Sequence, residues 1–265
     1  MAIKAQLKNL NSIERAMDLL KRVFFRIGAH LYPPLSRAIS TCKFSEIAEF
    51  RKPLIREPTI AVVVPTIRPH LLPRLICSLS EQELLPTEVF ICLNVQPTPG
   101  DLLRIEKSLM NSNLSSCSVD VDPGRSIGST INNVASATDC DLVVRLDDDD
   151  LYSSKLLYEM TRAFTRNRAP VVGMGAYFVD DGTSTFTFVS HGGSEKFTHY
   201  LSGSPRLHLT NLLRRFPYPD ASFGEDLDWL KQQRARLTPF YSVNHSLATI
   251  VLHADNTWRR RDTEP

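Results

Sequence analysis

The sequence predicts an α/β protein: a doubly wound, mostly parallel central sheet with flanking helices, preceded by a basic helical N-terminal extension. Three observations predict it. From Thr59 onward, short β-branched apolar runs alternate with segments of helical spacing over roughly ninety residues, the order that right-handed crossovers turn into a parallel sheet. Charge is divided along the chain: residues 1–56 carry eleven Lys/Arg against four Asp/Glu, a balance of +7, and the remainder carries twenty against twenty-five, a balance of −5. Finally, "DLVVRLDDDDLYSS" runs a short strand into four consecutive carboxylates, at the kind of strand end where open α/β sheets place their ligands.

A chain of 265 residues is long enough for one large domain with an extension, and 42% apolar with 23% charged residues is the composition of a soluble protein with a sizeable core. Its five cysteines (Cys42, Cys77, Cys92, Cys117, Cys140) are scattered singly with no Cys-x-x-Cys pair. That pattern argues for buried thiols in a reducing compartment and against a disulfide framework or a zinc site. No run approaches the roughly 18 uncharged apolar residues of a spanning helix, and the N-terminus lacks the apolar core of a signal peptide. The expected location is cytoplasmic, free or peripheral to the inner face of the membrane. Nucleic-acid binding is not expected, because the main domain is acidic and has no basic stripe with aromatics.

The elements follow in order. Ile13, Met17, Leu20, Phe24, Ile27 and Leu31 recur every three or four positions, which predicts an amphipathic helix over Ser12–Leu31, capped by Ser12 and stopped by Pro33-Pro34. Lys21, Arg22 and Arg26 lie on it, so it either packs on the main domain or a partner, including a second copy, or lies on an anionic membrane surface. A second short helix is expected around Phe44–Phe50, and "RKPLIREP" reads as a linker, which divides the chain into a 1–56 extension and a 57–265 domain. "TIAVVVPT" is a buried parallel strand, "LLPRLICSLSEQ" a helix and "TEVFICLNV" a strand. A helix over Leu102–Leu109, a strand in "SSCSVDVD", a helix over Ser129–Ala137 and the strand "DLVVRL" complete the alternation. Beyond them "LLYEMTRAF" is helical, and "PVVGMGAYFVDD" and "STFTFVSHGG" are strands joined by a "DDGT" hairpin turn. "SHGGSEKFTHYLSGSPRLHL" is so rich in glycine and serine that it predicts a mobile loop near an acceptor.

An acidic run is commonly a solvated loop, but this one abuts a strand in mid-chain and precedes an amphipathic helix. Helix capping uses one or two aspartates, not four. Close carboxylates at a strand end become favourable when a divalent cation neutralises them, and hard oxygen ligands suit Mg²⁺ or Mn²⁺, which keep waters and bind substrate phosphates.

Two stretches, "TIAVVVPTIRPHLLPRLICSLSEQELLPTEVFICLN" and "GSTINNVASATDCDLVVRLDDDDLY", resemble the nucleotide-binding half of family 2 glycosyltransferases, which have the GT-A fold. The resemblance extends from about Thr59 to Trp258. It implies an inverting transfer of a sugar from a nucleoside-diphosphate sugar, UDP- or GDP-linked, to a glycan or lipid-linked acceptor. Asp147 and Asp149 are the equivalents of the family's Asp-x-Asp, with Asp148 between them and Asp150 after, holding Mn²⁺ or Mg²⁺ on the donor diphosphate. Pro65, Thr66, Arg68 and Asn94, with Asn132 of the altered "STINN" segment, are implied to line the nucleotide pocket. Asn94 stands where the family has a paired aspartate. An amide both donates and accepts, so base recognition is expected to differ.

"FPYPDASFGEDLDWLKQQ" places Glu225 and Asp226 in the first turn of a helix, where carboxylates are favoured by the dipole even without a function. The resemblance matches Asp226 to the general base that takes the acceptor hydroxyl's proton, with Glu225 as its pair. Trp229, one turn on, either stacks on a sugar or belongs to the core. His253, with Asn256 and Thr257, resembles the family's His-x-x-Asn-Thr ending and is implied as a third metal ligand. Arg259–Arg261 meet phosphates or solubilise the end. His191, His199 and His208 carry no motif. Two other functions fit parts of the pattern: a nucleotidyltransferase, which would need a Gly-rich basic loop where "PTIRPH" has only Arg68, and a catalytically silent sugar- or nucleotide-sugar-binding protein, suggested by Asn94.

Overall fold

A computed structural model describes residues 49–52, 54, 56–183 and 186–253, all within the compact unit Ile47–Pro265. The helix expected over Ser12–Leu31, all but the last two residues of the one expected around Phe44–Phe50, and Asn256, Thr257, Trp258 and Arg259–Arg261 lie outside them.

The first half forms as its alternation predicts. Strand β1 (Ile60–Thr66) is buried along its whole length, as suits a β-branched run covered on both faces. Helix α1 (Leu72–Ser80) buries Leu72, Leu75, Ile76 and Leu79, one stripe at three-to-four spacing. Strand β2 (Glu88–Leu93), helix α2 (Pro99–Met110), strand β3 (Cys117–Val121), helix α3 (Ile127–Ala137) and strand β4 (Leu142–Arg145) follow. Helix α2 starts three residues before its expected position. Thr98 and Asp101 exchange side-chain-to-backbone hydrogen bonds of 3.1 Å in a capping box, and Pro99 suits the first turn.

Strands β3, β2, β1 and β4 lie side by side in parallel register, with Val62 of β1 opposite Val89 of β2 on one side and Ala61 of β1 opposite Val143 of β4 on the other. The large sheet continues through β10 (Arg206–Leu209), β6 (Val171–Gly173), β11 (Phe240–Ser242) and β9 (Lys196–Thr198), in the order β3-β2-β1-β4-β10-β6-β11-β9. Strand β10 is antiparallel to both β4 and β6. A second sheet, in the order β5-β12-β7-β8, is built from β5 (Leu151–Tyr152), β12 (Ala248–Val251), β7 (Ala176–Asp180) and β8 (Phe186–Ser190).

Alternate residues of β1 and β4 feed two cores, one on each face of the large sheet. Ile60, Val62, Val64, Leu142 and Val144 pack with α1, Ile105 of α2 and α4 (Leu156–Asn167). Ala61, Val63 and Val143 pack with α3, α5 (Thr210–Arg215) and α6 (Glu225–Ala235). Each valine so enclosed contributes roughly 1.5–3 kcal/mol from burial.

Two expectations are corrected. The run "PVVGMGAYFVDD" is not one strand: it crosses from the large sheet (β6) to the small one (β7) at Gly175. A Cβ there would stand 2.7 Å from the Gly193 carbonyl oxygen, so only glycine allows the crossing. The hairpin turn itself is present, pairing β7 with β8. The Gly/Ser-rich segment 190–209, expected as a loop, is strand in part. It supplies β9 and β10, and Leu201, Arg206, Leu207 and His208 are fully buried. Its small residues serve close packing, since a Cβ on Gly192 would lie 2.0 Å from Thr198 Oγ1.

Candidate active site

The four aspartates form a bend directly after β4, and three of them are almost wholly enclosed: Asp148 is 1% exposed and Asp149 and Asp150 are each 6% exposed. The bend is fixed from several sides. Tyr152 and Ser204 hydroxyls each lie 2.9 Å from the Asp147 backbone N–H, and Tyr152 also donates to the Asp147 carbonyl. Arg74 of α1 donates to the Asp149 carbonyl at 2.7 Å.

The side chains diverge in role. Asp148 turns toward β1, accepts from the Thr66 hydroxyl and is clasped by the Arg68 guanidinium. Burial raises its pKa against the opposing pull of Arg68. Asp147, Asp149 and Asp150 instead each place an oxygen within 4.8 Å of the others. Asp150 accepts from the Val251 N–H at 3.2 Å, and among the described residues no cationic side chain pairs with it. Burial, reinforced by Asp147 and Asp149, pushes its pKa well above the ordinary carboxylate value. His253 follows β12, and its Nε2 lies 2.9 Å from Asp149 Oδ2. Arg68 Nη1 lies 2.7 Å from the same oxygen and 3.1 Å from the same nitrogen.

This donor set fits a divalent cation. The three converging carboxylates are hard oxygen donors of the kind such an ion takes, and His253, bonded to Asp149 Oδ2 at 2.9 Å, stands at their edge. Around the bend and the α6 start, four guanidinium groups (Arg68, Arg74, Arg145, Arg206) stand among six carboxyl groups (Asp147–Asp150, Glu225, Asp226), a deficit that a doubly charged ion reduces.

Glu225 and Asp226 begin α6, as expected, and stand close to the bend. Arg145, the last residue of β4, donates through Nη1 to Glu225 Oε1 at 2.8 Å and through Nε to Asp147 Oδ1 at 3.1 Å. Glu225 is only 3% exposed. The Asp226 side chain keeps 22% of its surface, with Oδ2 at 3.8 Å from Arg206 Nη2. A Cβ on Gly203 would come within 2.9 Å of that same oxygen.

Asn94, just past β2, spends its amide donors on the Arg125 carbonyl and the Thr130 hydroxyl, leaving its buried Oδ1 without a partner. It lies beside β1, its N–H bonded to the Thr66 carbonyl at 2.8 Å. Pro65 and Thr66, at the end of β1, are buried. Asn132 stands apart from this group: its carboxamide donates to the Tyr218 carbonyl and accepts from the Tyr218 N–H, each at 2.9 Å, and so pins one chain segment to another. Trp229 belongs to the core. It is fully buried, stacked on Tyr218 at 4.9 Å between centroids and bonded to the Phe216 carbonyl.

Sequence reasoning missed Arg145, Asp150 as a member of the converging triad, Arg206 and Ser204. A charged residue at the end of an otherwise apolar strand, as in "VVRL" and "PRLHL", is the available sign of the two arginines. Nothing in the sequence points to Ser204.

A parallel sheet that carries an Asp-x-Asp bend at one strand end and a Glu-Asp helix start beside it is the construction of the GT-A glycosyltransferases. The model of the glycosyl transferase family 2 matches residues 61–223, more than half of the chain, and the chain belongs to that family. Among solved structures it is similar to Staphylococcus aureus TarS. The TarS 1–349 complex with UDP is 17% identical, with a TM-score of 0.59, over 73% of this chain and 60% of that one. The TarS 1–349 complex with UDP-GlcNAc is 16% identical, with a TM-score of 0.60, over 75% and 60%. The chain therefore spans about 60% of those TarS fragments, and 37% of the longer TarS chain it also matches. The search among curated protein sequences gives no match. Among the described residues, no helix is long and apolar enough to cross a membrane.

Proposed function

We propose that this protein is an inverting glycosyltransferase that uses Mn²⁺ or Mg²⁺ and transfers a sugar from a UDP- or GDP-linked donor to a hydroxyl of a glycan or lipid-linked acceptor in polysaccharide biosynthesis. The observation that carries the reading is one arrangement: the Asp147, Asp149 and Asp150 oxygens converge, and Arg145 ties the same bend to the helix start that bears Asp226. The TarS structures contain UDP and UDP-GlcNAc, and a shared fold supports the same class of donor at the same strand ends.

Asp147, Asp149 and Asp150, with His253, would hold the ion, and Arg68 lies close enough to meet the diphosphate. The bound cation offsets the negative charge gathering on the departing nucleoside diphosphate. Pro65, Thr66 and Asn94 line the nucleotide side, with the Asn94 amide bonded to the Arg125 carbonyl and the Thr130 hydroxyl. Asp226, the more exposed of the two helix-start carboxylates, takes the proton of the acceptor hydroxyl. A single base on the acceptor and direct displacement at the anomeric carbon imply inversion.

Thermal shift with UDP and GDP, with and without Mn²⁺, tests the donor site, and release of UDP from UDP-GlcNAc tests the chemistry. A Mn²⁺-dependent rise in Tm is expected with one nucleotide, and Asp149→Ala should remove it. No such rise with either nucleotide overturns the reading. Tight binding with no release under any condition favours the silent binding protein instead.

A further inference from the structure

The geometry points to Arg145 as a positioning residue that makes the metal-binding bend and the base-bearing helix one ion-paired unit, so that loading the donor site orders the start of α6. The inference rests on the glycosyltransferase reading above and adds a coupling within it.

Three features of α6 lead there. Its core-facing stripe is Glu225, Trp229, Leu230 and Gln233, so the stripe begins with a carboxylate rather than an apolar side chain. Its N-cap is Gly224 at φ 74°, which offers no side chain to hold the first turn. Among the described residues, the one ion pair of Glu225 is with Arg145. The first turn, with no capping side chain, is held to the sheet by Arg145 at Glu225 and by Arg206 of β10, which lies 3.5 Å from the Asp226 carbonyl, and of the two only Arg145 also reaches the aspartate bend.

The second half of the link lies on the other side of the same group. Val143, Arg145 and Asp147 share one face of β4 and its extension, because strand side chains alternate. Arg145 thus reaches Asp147 through Nε while Nη1 holds Glu225. A buried pair that served only to anchor the helix would need one carboxylate. This guanidinium divides its donors between a member of the converging triad and the residue next to the base. Adjacent helical residues point about 100° apart, so the angle at which Glu225 is held also sets where Asp226 points. Only a planar fork with several donors can grip two carboxylates at once; an ammonium cannot do so in the same geometry.

Hydrogen exchange at the amides of Glu225–Leu230 in the full chain, with and without Mn²⁺ plus UDP, tests the link. The proteins compared are the wild type, Arg145→Lys and the paired variant Arg145→Gln/Glu225→Gln, which removes both buried charges together and leaves no unpaired ion behind. In the wild type, Mn²⁺ plus UDP should slow exchange there on the order of tenfold. Both variants should keep a Mn²⁺-dependent Tm rise with UDP and lose most of the slowing, and their UDP-GlcNAc hydrolysis should fall in kcat with little change in KM. The Lys variant keeps the test open if the paired variant does not fold. Equal slowing and equal kcat in the variants, or no slowing in a wild type whose Tm does rise, overturns the coupling and leaves the donor site standing. A wild type with no Mn²⁺-dependent Tm rise overturns the donor-site reading, and the coupling with it.

Discussion

At the residue scale, Glu225 and Asp226 are adjacent in the chain and differ in surroundings. Glu225 is enclosed and paired with Arg145; Asp226 keeps 22% of its side-chain surface, lies against Gly203 and has a buried positive charge at 3.8 Å. A proton acceptor needs access to the hydroxyl it serves, and the proposal gives that part to Asp226, the more exposed of the two. Asp226→Asn should retain Mn²⁺-dependent UDP binding while UDP-GlcNAc hydrolysis falls by about 10²–10⁴-fold. Calorimetry paired with a UDP-release assay checks both halves, and near-normal turnover would take the base role away from Asp226. The same scale explains the mixed legibility of the aspartate run. That it holds a charge cluster was plain from "LDDDD". That Asp148 leaves the triad for Thr66 and Arg68, while Asp150 joins it, depends on which way a four-residue bend turns each side chain.

At the scale of elements, α3 shows how one residue sets a packing distance. Gly128 lies in its first turn, where a Cβ would stand 1.9 Å from the Pro219 carbonyl oxygen, and its N–H bonds the Ala221 carbonyl at 3.0 Å. The segment before α6 therefore lies directly on the α3 backbone. Gly128→Ala cannot be relieved by rotating a side chain, because the obstructing atom is backbone. It should cost about 2 kcal/mol or more, visible as a lower urea midpoint with an unchanged m-value. An unchanged midpoint would mean that the Pro219 segment moves away freely. Helix α3 was recognisable from its apolar spacing, and its contact with Pro219 was not, since 91 residues separate the partners. The 190–209 segment makes the complementary point. Its glycines and serines look like loop residues in one dimension and act as close-packing residues in three.

At the scale of the whole molecule, a buried polar cluster joins the large sheet to α6. His208 on β10 is fully enclosed, with Nε2 at 2.8 Å from the Tyr218 hydroxyl and Nδ1 at 3.3 Å from the Val143 carbonyl. Arg206 donates to the same hydroxyl at 3.1 Å, so the Tyr218 O–H is directed at Nε2 and the ring is neutral with its proton on Nδ1. Burial, with Arg206 nearby, holds the His208 pKa well below the ordinary 6.5. A depressed histidine binds its proton more readily in the unfolded chain. Stability is therefore fully present above about pH 6.5 and declines as the pH falls below it. The urea midpoint should drop between pH 7.5 and 5.5, and drop less in His208→Asn. An equal drop in both proteins would assign the acid sensitivity to other groups.

The strand and helix alternation, the two faces of the sheet, the acidic strand end and the carboxylates that open α6 were all legible in the chain, because each is written in local periodicity or in a run of adjacent residues. The tertiary structure decided which oxygens converge, which carboxylate is walled in, and that Arg145 reaches two of them at once. Those outcomes depend on β10 entering antiparallel beside β4 and on α6 settling over the end of that strand. Contacts between positions 80 residues apart are set by how the layers pack, and no short stretch of chain carries that information.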